Sequence, residues 1–153
     1  MGPDNHSMRI TTLDRPDARV LTVSGPIGPD QVSRLQESLL EAVDGAGTDV
    51  LIDTHQVSAF DDAALVALTA ARKRSKFLRH RVAILDGENS IVTLSLRRNG
   101  MHIRMPVYPD LETASRHLAA DREARARLTL QQDAPAAGTA TAAGIPTYQE
   151  STG

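Results

Sequence analysis

Short apolar runs rich in β-branched residues alternate along this chain with segments whose apolar residues recur at helical spacing. No other feature restricts the fold as strongly, because the two periods cannot occupy the same backbone. Arg9-Ile10-Thr11-Thr12-Leu13 and Ala18 to Ser24 read as strands. The turn residues Asp14-Arg15-Pro16-Asp17 lie between them and Gly25 follows, which predicts a hairpin. Gly25-Pro26-Ile27-Gly28-Pro29-Asp30 reads as a loop that hands over to a helix. That helix carries Val32, Leu35, Leu39, Leu40 and Val43 on one stripe and stops at Asp44-Gly45-Ala46-Gly47. Val50-Leu51-Ile52, continuing toward Val57, predicts a buried strand, and Ala63 to Lys76 a second helix. Arg81 to Leu85 predicts a strand, and Ser90 to Arg98 a short helix closed by Asn99-Gly100. Pro106-Val107-Tyr108 predicts a last strand, and Leu111 to about Arg127 a charged helix. This order predicts an α/β fold: a mixed β-sheet of about five strands, parallel in its later part, packed with about four helices.

A length of 153 residues suits one domain with tails. Residues 1–8, MGPDNHSM, are polar and broken by Gly2 and Pro3, and read as a flexible leader with Met8 a candidate natural start. The domain is expected over residues 9–128. Residues 129–153, dominated by Ala, Thr, Gly and Pro, are expected to be a disordered tail. A net charge of -2 gives no general attraction to nucleic acid or membrane. The scarce aromatics, Phe60, Phe77, Tyr108 and Tyr148, offer no base-stacking surface. No cysteine is present, which excludes disulfides and thiolate metal sites. Neither a signal-peptide stretch nor a run of about 20 apolar residues occurs, so a cytoplasmic protein is expected.

The stretch Ser58-Ala59-Phe60-Asp61-Asp62-Ala63-Ala64-Leu65 sets two carboxylates where a strand gives way to a helix. Asp61 suits the N-cap, where its carboxylate accepts a backbone N–H left over by the helix. Asp62 then lies in the first turn, facing the positive end of the helix dipole. Adjacent helical residues point apart, which argues against a shared proton or metal. A hydrolase could combine Asp53, His55 and Asp61 as acid, base and metal ligand, but no nucleophile elbow, phosphate-cradling glycine loop or histidine-pair motif accompanies them. No cofactor or metal is called for, and no enzyme is expected. Arg72-Lys73-Arg74-Ser75-Lys76 with Arg79, His80 and Arg81 is the densest basic run and reads as a solvated helix end, with an anionic partner as the sharper alternative. His102 and His117 stand alone.

Four segments taken together, VLTVSGPIGPDQVSRLQESL, DVLIDTHQVSAFDDAALVAL, RVAILDG and NGMHIRMPVYPDLETASRHL, resemble a STAS domain, the fold of bacterial anti-sigma-factor antagonists. The resemblance runs from about Arg9 to about Ala120 and rests on order and spacing. It implies a STAS-like mixed sheet and a partner-switching role in transcription regulation. The implied partner is an anti-sigma factor of the serine-kinase, ATPase type that phosphorylates the antagonist at the start of its second helix. The motif there typically reads Asp-Ser-Ser/Thr-Gly. Aligned on Val57 and Leu65, Asp61 falls on its Asp, Asp62 on the phosphoacceptor serine, Ala63 on the second hydroxyl residue and Ala64 on the Gly. Gly25-Pro26-Ile27-Gly28 falls on a loop that usually reads Gly-Glu-Leu/Ile-Asp, so both acidic positions are lost here.

The resemblance therefore implies a site without its serine, in which Asp62 is a fixed partial mimic of phosphate. The partner-binding residues it implies are Gly25, Pro26, Gly28, Thr54, His55, Ser58, Asp61, Asp62, Ala63 and Ala64, with Thr54 and Ser58 as alternative phosphosites. The rival reading is a sensory or small-ligand, nucleotide-binding module. There the second helix's N-terminus would hold an anion, aided by Arg72 to Lys76.

Overall fold

In the computed structural model, which describes residues 7–138 and the side chains as far as Leu130, the alternating segments fold as a five-stranded sheet with four α-helices. β1 (Arg9–Asp14) and β2 (Ala18–Ile27) form the expected antiparallel hairpin, its turn closed by the Arg15 N–H on the Ala18 carbonyl at 2.9 Å. The Arg19 guanidinium donates to the Asp14 carboxylate at 2.6 Å and to the Ala42 carbonyl at 3.0 Å. It thus ties the hairpin to the helix that follows. From β2 onward each strand pairs parallel with the next: β3 (Asp49–Phe60), β4 (Val82–Leu85) and β5 (Val107–Tyr108). The strands therefore lie in sequence order across the sheet. The crossovers are α1 (Val32–Ala46), α2 (Leu65–Phe77) and α3 (Ile91–Arg98), and α4 (Leu111–Gly138) follows β5. Right-handed crossovers between strands in this order put α1, α2 and α3 on one face.

That face holds the main core. Leu21, Val23, Val50, Ile52, Val82 and Ile84 point into it from the strands. Leu35, Leu39 and Val43 of α1, Leu65, Leu68 and Ala71 of α2, and Val92 and Leu96 of α3 complete it. By strand alternation Val20, Leu51, Ala83 and Leu85 point to the other face, and they are buried too. Burial on both faces explains why β3 and β4 read as continuous apolar runs. Ala67 and Ala71 are fully buried, and such small side chains let a helix approach its neighbours closely. The chain divides into two compact units, one to Arg116 and one from His117.

Three boundaries differ from the sequence expectation. The expected loop at Gly25 is the end of β2, and β3 runs on to Phe60: Gly25 pairs with Val57, Pro26 with Ala59 and Ile27 with Phe60. Register shifts on either side of Gly25 let the ladder pass the proline, a residue that cannot donate to it. α4 continues to Gly138 instead of stopping near Arg127, since no glycine or proline interrupts it from Leu111 to Ala134. The first part of the expected tail is therefore helical, while residues 139–153 lie outside the described residues. Of the expected leader, residues 1–6 also lie outside them, and Met8 is buried in the core.

Candidate functional site

The parallel strands β2 and β3 end side by side, and each hands over to a helix through one turn of 3-10 helix. The two hand-overs touch, because the Asp61 N–H donates to the Ile27 carbonyl at 2.9 Å. Gly25 makes the approach of the N-terminal segment possible. It holds φ +85°, and a Cβ there would collide with the carbonyl oxygen of Ser7.

Asp61 adopts extended backbone (φ -87°, ψ 137°) and accepts the Ala63 N–H at 2.8 Å, so it is the N-cap expected from the sequence. Asp62 does more than meet the helix dipole. Its carboxylate reaches the far end of α3, accepting from Ser95 Oγ at 2.6 Å, Arg98 Nη2 at 2.7 Å and Asn99 Nδ2 at 3.3 Å. The bond from Ser95, then those from Arg98 and Asn99, hold its carboxyl below the usual aspartate range. Its side chain is 45% exposed, so solvent also sees this anion, with the Arg98 cation beside it. Sequence reasoning found none of these three partners. They are 33 to 37 residues away, and Asn99 read only as a helix stop.

The structure gathers Gly25, Pro26, Gly28, Ser58, Asp61, Asp62 and Ala63 around this paired strand end. Ser58, Asp61, Asp62 and Ala63 are exposed. Ala64 is fully buried and offers no side-chain surface. Thr54 and His55 are not part of the cluster. An extended strand rises about 3.3 Å per residue, which sets them roughly 20 Å from Asp61.

Thr54 is also buried, its hydroxyl donating to Asp86 Oδ2 at 2.5 Å. As an alternative phosphosite it is therefore occluded, and Ser58 is the exposed hydroxyl of the two. His55 bonds Asp53 through both its backbone N–H (3.0 Å) and its ring Nδ1 (2.8 Å). Burial opposes its protonation, but the bond to Asp53 and the charges of Asp53 and Asp86 outweigh it and raise the imidazole pKa.

The triad of Asp53, His55 and Asp61 does not assemble: Asp53 and His55 bond each other midway along β3, whereas Asp61 lies beyond its end at Phe60. Among the described residues no group of three or more His, Asp or Glu side chains is placed to hold a metal ion. Among them also, no helix is long and apolar enough to cross a membrane. In the basic run, Arg74 bonds Asp44 at 2.6 Å and lies over the Phe77 ring, while Arg72 lines a cleft beside α2.

Known proteins place this geometry in a family. The anti-sigma factor antagonist from Mycobacterium paratuberculosis matches with a TM-score of 0.60 at 20% identity, over 77% of this chain and 97% of that one. An anti-sigma-factor antagonist (STAS) domain protein from Planctomyces limnophilus gives a TM-score of 0.59 at 20% identity, over 72% and 97%. The anti-sigma factor antagonist SpoIIAA in its unphosphorylated form gives 0.58 at 14% identity, over 72% and 95%. At these identities the likeness carries the fold. No curated protein matches the sequence. The family model described as Mlab, STAS domain matches residues 11–105, more than half of the chain, and the chain belongs to the STAS-domain family.

Proposed function

We propose that this chain is an anti-sigma-factor antagonist: a non-enzymatic, cytoplasmic protein whose residues 9–128 bind an anti-sigma factor of the serine-kinase type and so regulate transcription. Membership of the STAS-domain family supports this, as does the likeness to structures that are themselves anti-sigma-factor antagonists. The observation that carries the reading is the exposed strand end where Pro26, Gly28, Ser58, Asp61, Asp62 and Ala63 converge. It presents an exposed surface whose two carboxylates are held by protein donors, Asp61 by the Ala63 N–H and Asp62 by Ser95, Arg98 and Asn99.

At the position where this family carries its phosphoacceptor serine, Asp62 is a permanent anion whose lowered pKa keeps it ionised. It stands in for part of a phosphate's charge, about one unit instead of nearly two. The site is therefore insensitive to the partner's kinase activity. Replacing Asp62 with Ser tests this by partner affinity and by phosphate incorporation. The expected result is a serine that accepts phosphate and an affinity that changes with it. Unchanged affinity without labelling would sink the reading.

One observation favours a second, small-ligand reading. A cleft of about 440 Å³, lined by Asp86, Glu88, Thr93, Arg97 and His102, lies at the carboxyl ends of β4 and β5. Open parallel sheets commonly bind ligands there. A ligand-induced rise in melting temperature without any protein partner would support it. Recovery of a histidine-kinase-like ATPase with the chain supports the first reading. Against an anion at the start of α2 stand the negative charges of Asp61 and Asp62, and Asp61 already accepts the Ala63 N–H there.

A further inference from the structure

Next to Asp62 the surface changes character. Asn99, which donates to Asp62, also lines a second cleft of about 320 Å³ between α2 and the turn after α3. Arg72 and Arg104 line the same cleft, and no acidic residue does. Arg19, Arg74 and Arg98 each bond a carboxylate, whereas among the described residues the guanidinium groups of Arg72 and Arg104 have no hydrogen-bonding or ionic partner. Ile103, 78% exposed, lines the cleft, and Val66, 60% exposed, lies one turn before the lining residue Thr69 on the same face of α2. Large apolar side chains left in water beside unpaired cations are the composition of a docking surface whose partner supplies the acids.

We propose that this cleft seats an acidic segment of the anti-sigma factor, with carboxylates on Arg72 and Arg104 and an apolar side chain against Ile103 and Val66. The inference rests on the function proposed above. The cleft continues that interface through Asn99 and extends it from the start of α2 to the turn at Gly100–Arg104. The Asp62–Arg98 pair marks the border. On one side lie the carboxylates of Asp61 and Asp62, on the other the free guanidinium groups, so the partner meets two signs of charge in a fixed order. Such an arrangement sets the orientation of docking and speeds encounter more than it adds affinity.

The test uses the full chain and a purified kinase-type anti-sigma factor from the same genome, with affinity measured at low and moderate salt. Reversing both charges in the Arg72→Glu, Arg104→Glu variant is expected to weaken binding about tenfold or more and to flatten its salt dependence. The milder Arg72→Ala, Arg104→Ala variant shows the same trend with a smaller loss, and Ile103→Ser weakens binding severalfold with its salt dependence intact. Arg34→Glu, on the exposed side of α1, binds as the unaltered chain does. Arg34, Ile103 and Arg104 are exposed and Arg72 is half-buried, so melting temperatures stay close to that of the unaltered chain.

If the unaltered chain binds and the charge-reversed variant binds equally well, the cleft is not the seat and the inference falls alone. If no anti-sigma factor binds the unaltered chain, the functional reading falls and takes the inference with it. The inference is also overturned if phosphatidylserine vesicles or single-stranded DNA bind through Arg72 and Arg104 while the anti-sigma factor is indifferent to them.

Discussion

The starts of α1 and α2 are built alike and closed differently. Each follows a parallel strand through a 3-10 turn, and the two strands are neighbours. At α1 the closure is local: Gln31 Oε1 accepts the Gly28 N–H at 2.8 Å, and Gly28 itself has no side chain to offer. At α2, Asp61 makes the equivalent local bond, but Asp62 spends its carboxylate on Ser95, Arg98 and Asn99 of another helix. One start is a folding device complete within four residues. The other is a joint between two helices. A change at the first should stay where it is made, whereas a change at Asp62 should be felt on α3.

The largest effect is expected where both starts are broken together. Gly25→Ala forces a left-handed backbone on alanine and drives a methyl group into Ser7, beside the ladder that aligns the two hand-overs. A loss of roughly 2–4 kcal/mol is expected from strain and overpacking combined, read as a lower midpoint in denaturant unfolding. Next comes Thr54→Val, further down β3. It keeps the shape but leaves Asp86 Oδ2 buried without its donor. The expected cost is about 1–3 kcal/mol, and wild-type stability would show that Asp86 finds another partner.

Asp61→Ala and Gln31→Ala then sharpen the comparison directly. Loss of the aspartate cap should cost about 1 kcal/mol and speed amide exchange at Ala63. Loss of the Gln31 bond should cost about 0.5–1.5 kcal/mol with exchange faster only near Gly28. Spread of the Gln31 effect to α3 would refute the local closure.

The smallest effect on stability belongs to Asp62, because its carboxylate and its ionic partner Arg98 are both solvent-exposed. Because its folded pKa lies below the ordinary 3.8, its contribution is present above that pH and is lost as pH falls through the lower folded value. Comparing melting temperatures of the unaltered chain and Arg98→Gln should therefore show a difference at about pH 6 that disappears in strong acid. The same substitution should shift amide signals of α3 and α2 together. A shift confined to α3 would mean the joint is not one.

Much of this was legible in local pattern. The hairpin turn at Asp14–Asp17, the stripe of α1, the Gly47 stop and the Asp61 cap each depend on residues within a few positions of one another. That is the range over which backbone preference and side-chain capping act. The end of β2 was misread as a loop because glycine and proline are turn residues by local preference. The pairing of Gly25, Pro26 and Ile27 with Val57, Ala59 and Phe60 overrides that preference. Thr54 reads in the sequence as an alternative phosphosite. Its burial comes from Asp86, 32 residues later.

By itself the sequence determined the α/β order of elements, the faces that each must bury and the carboxylate cap at Asp61, because periodicity and capping are short-range. The tertiary structure alone decided that Asp62 joins α2 to α3, that Thr54 is sealed against Asp86, and that Arg72 and Arg104 meet in one unpaired basic cleft. Those outcomes depend on which crossover helix lies beside which, and a charge finds its partner by distance in space, not along the chain.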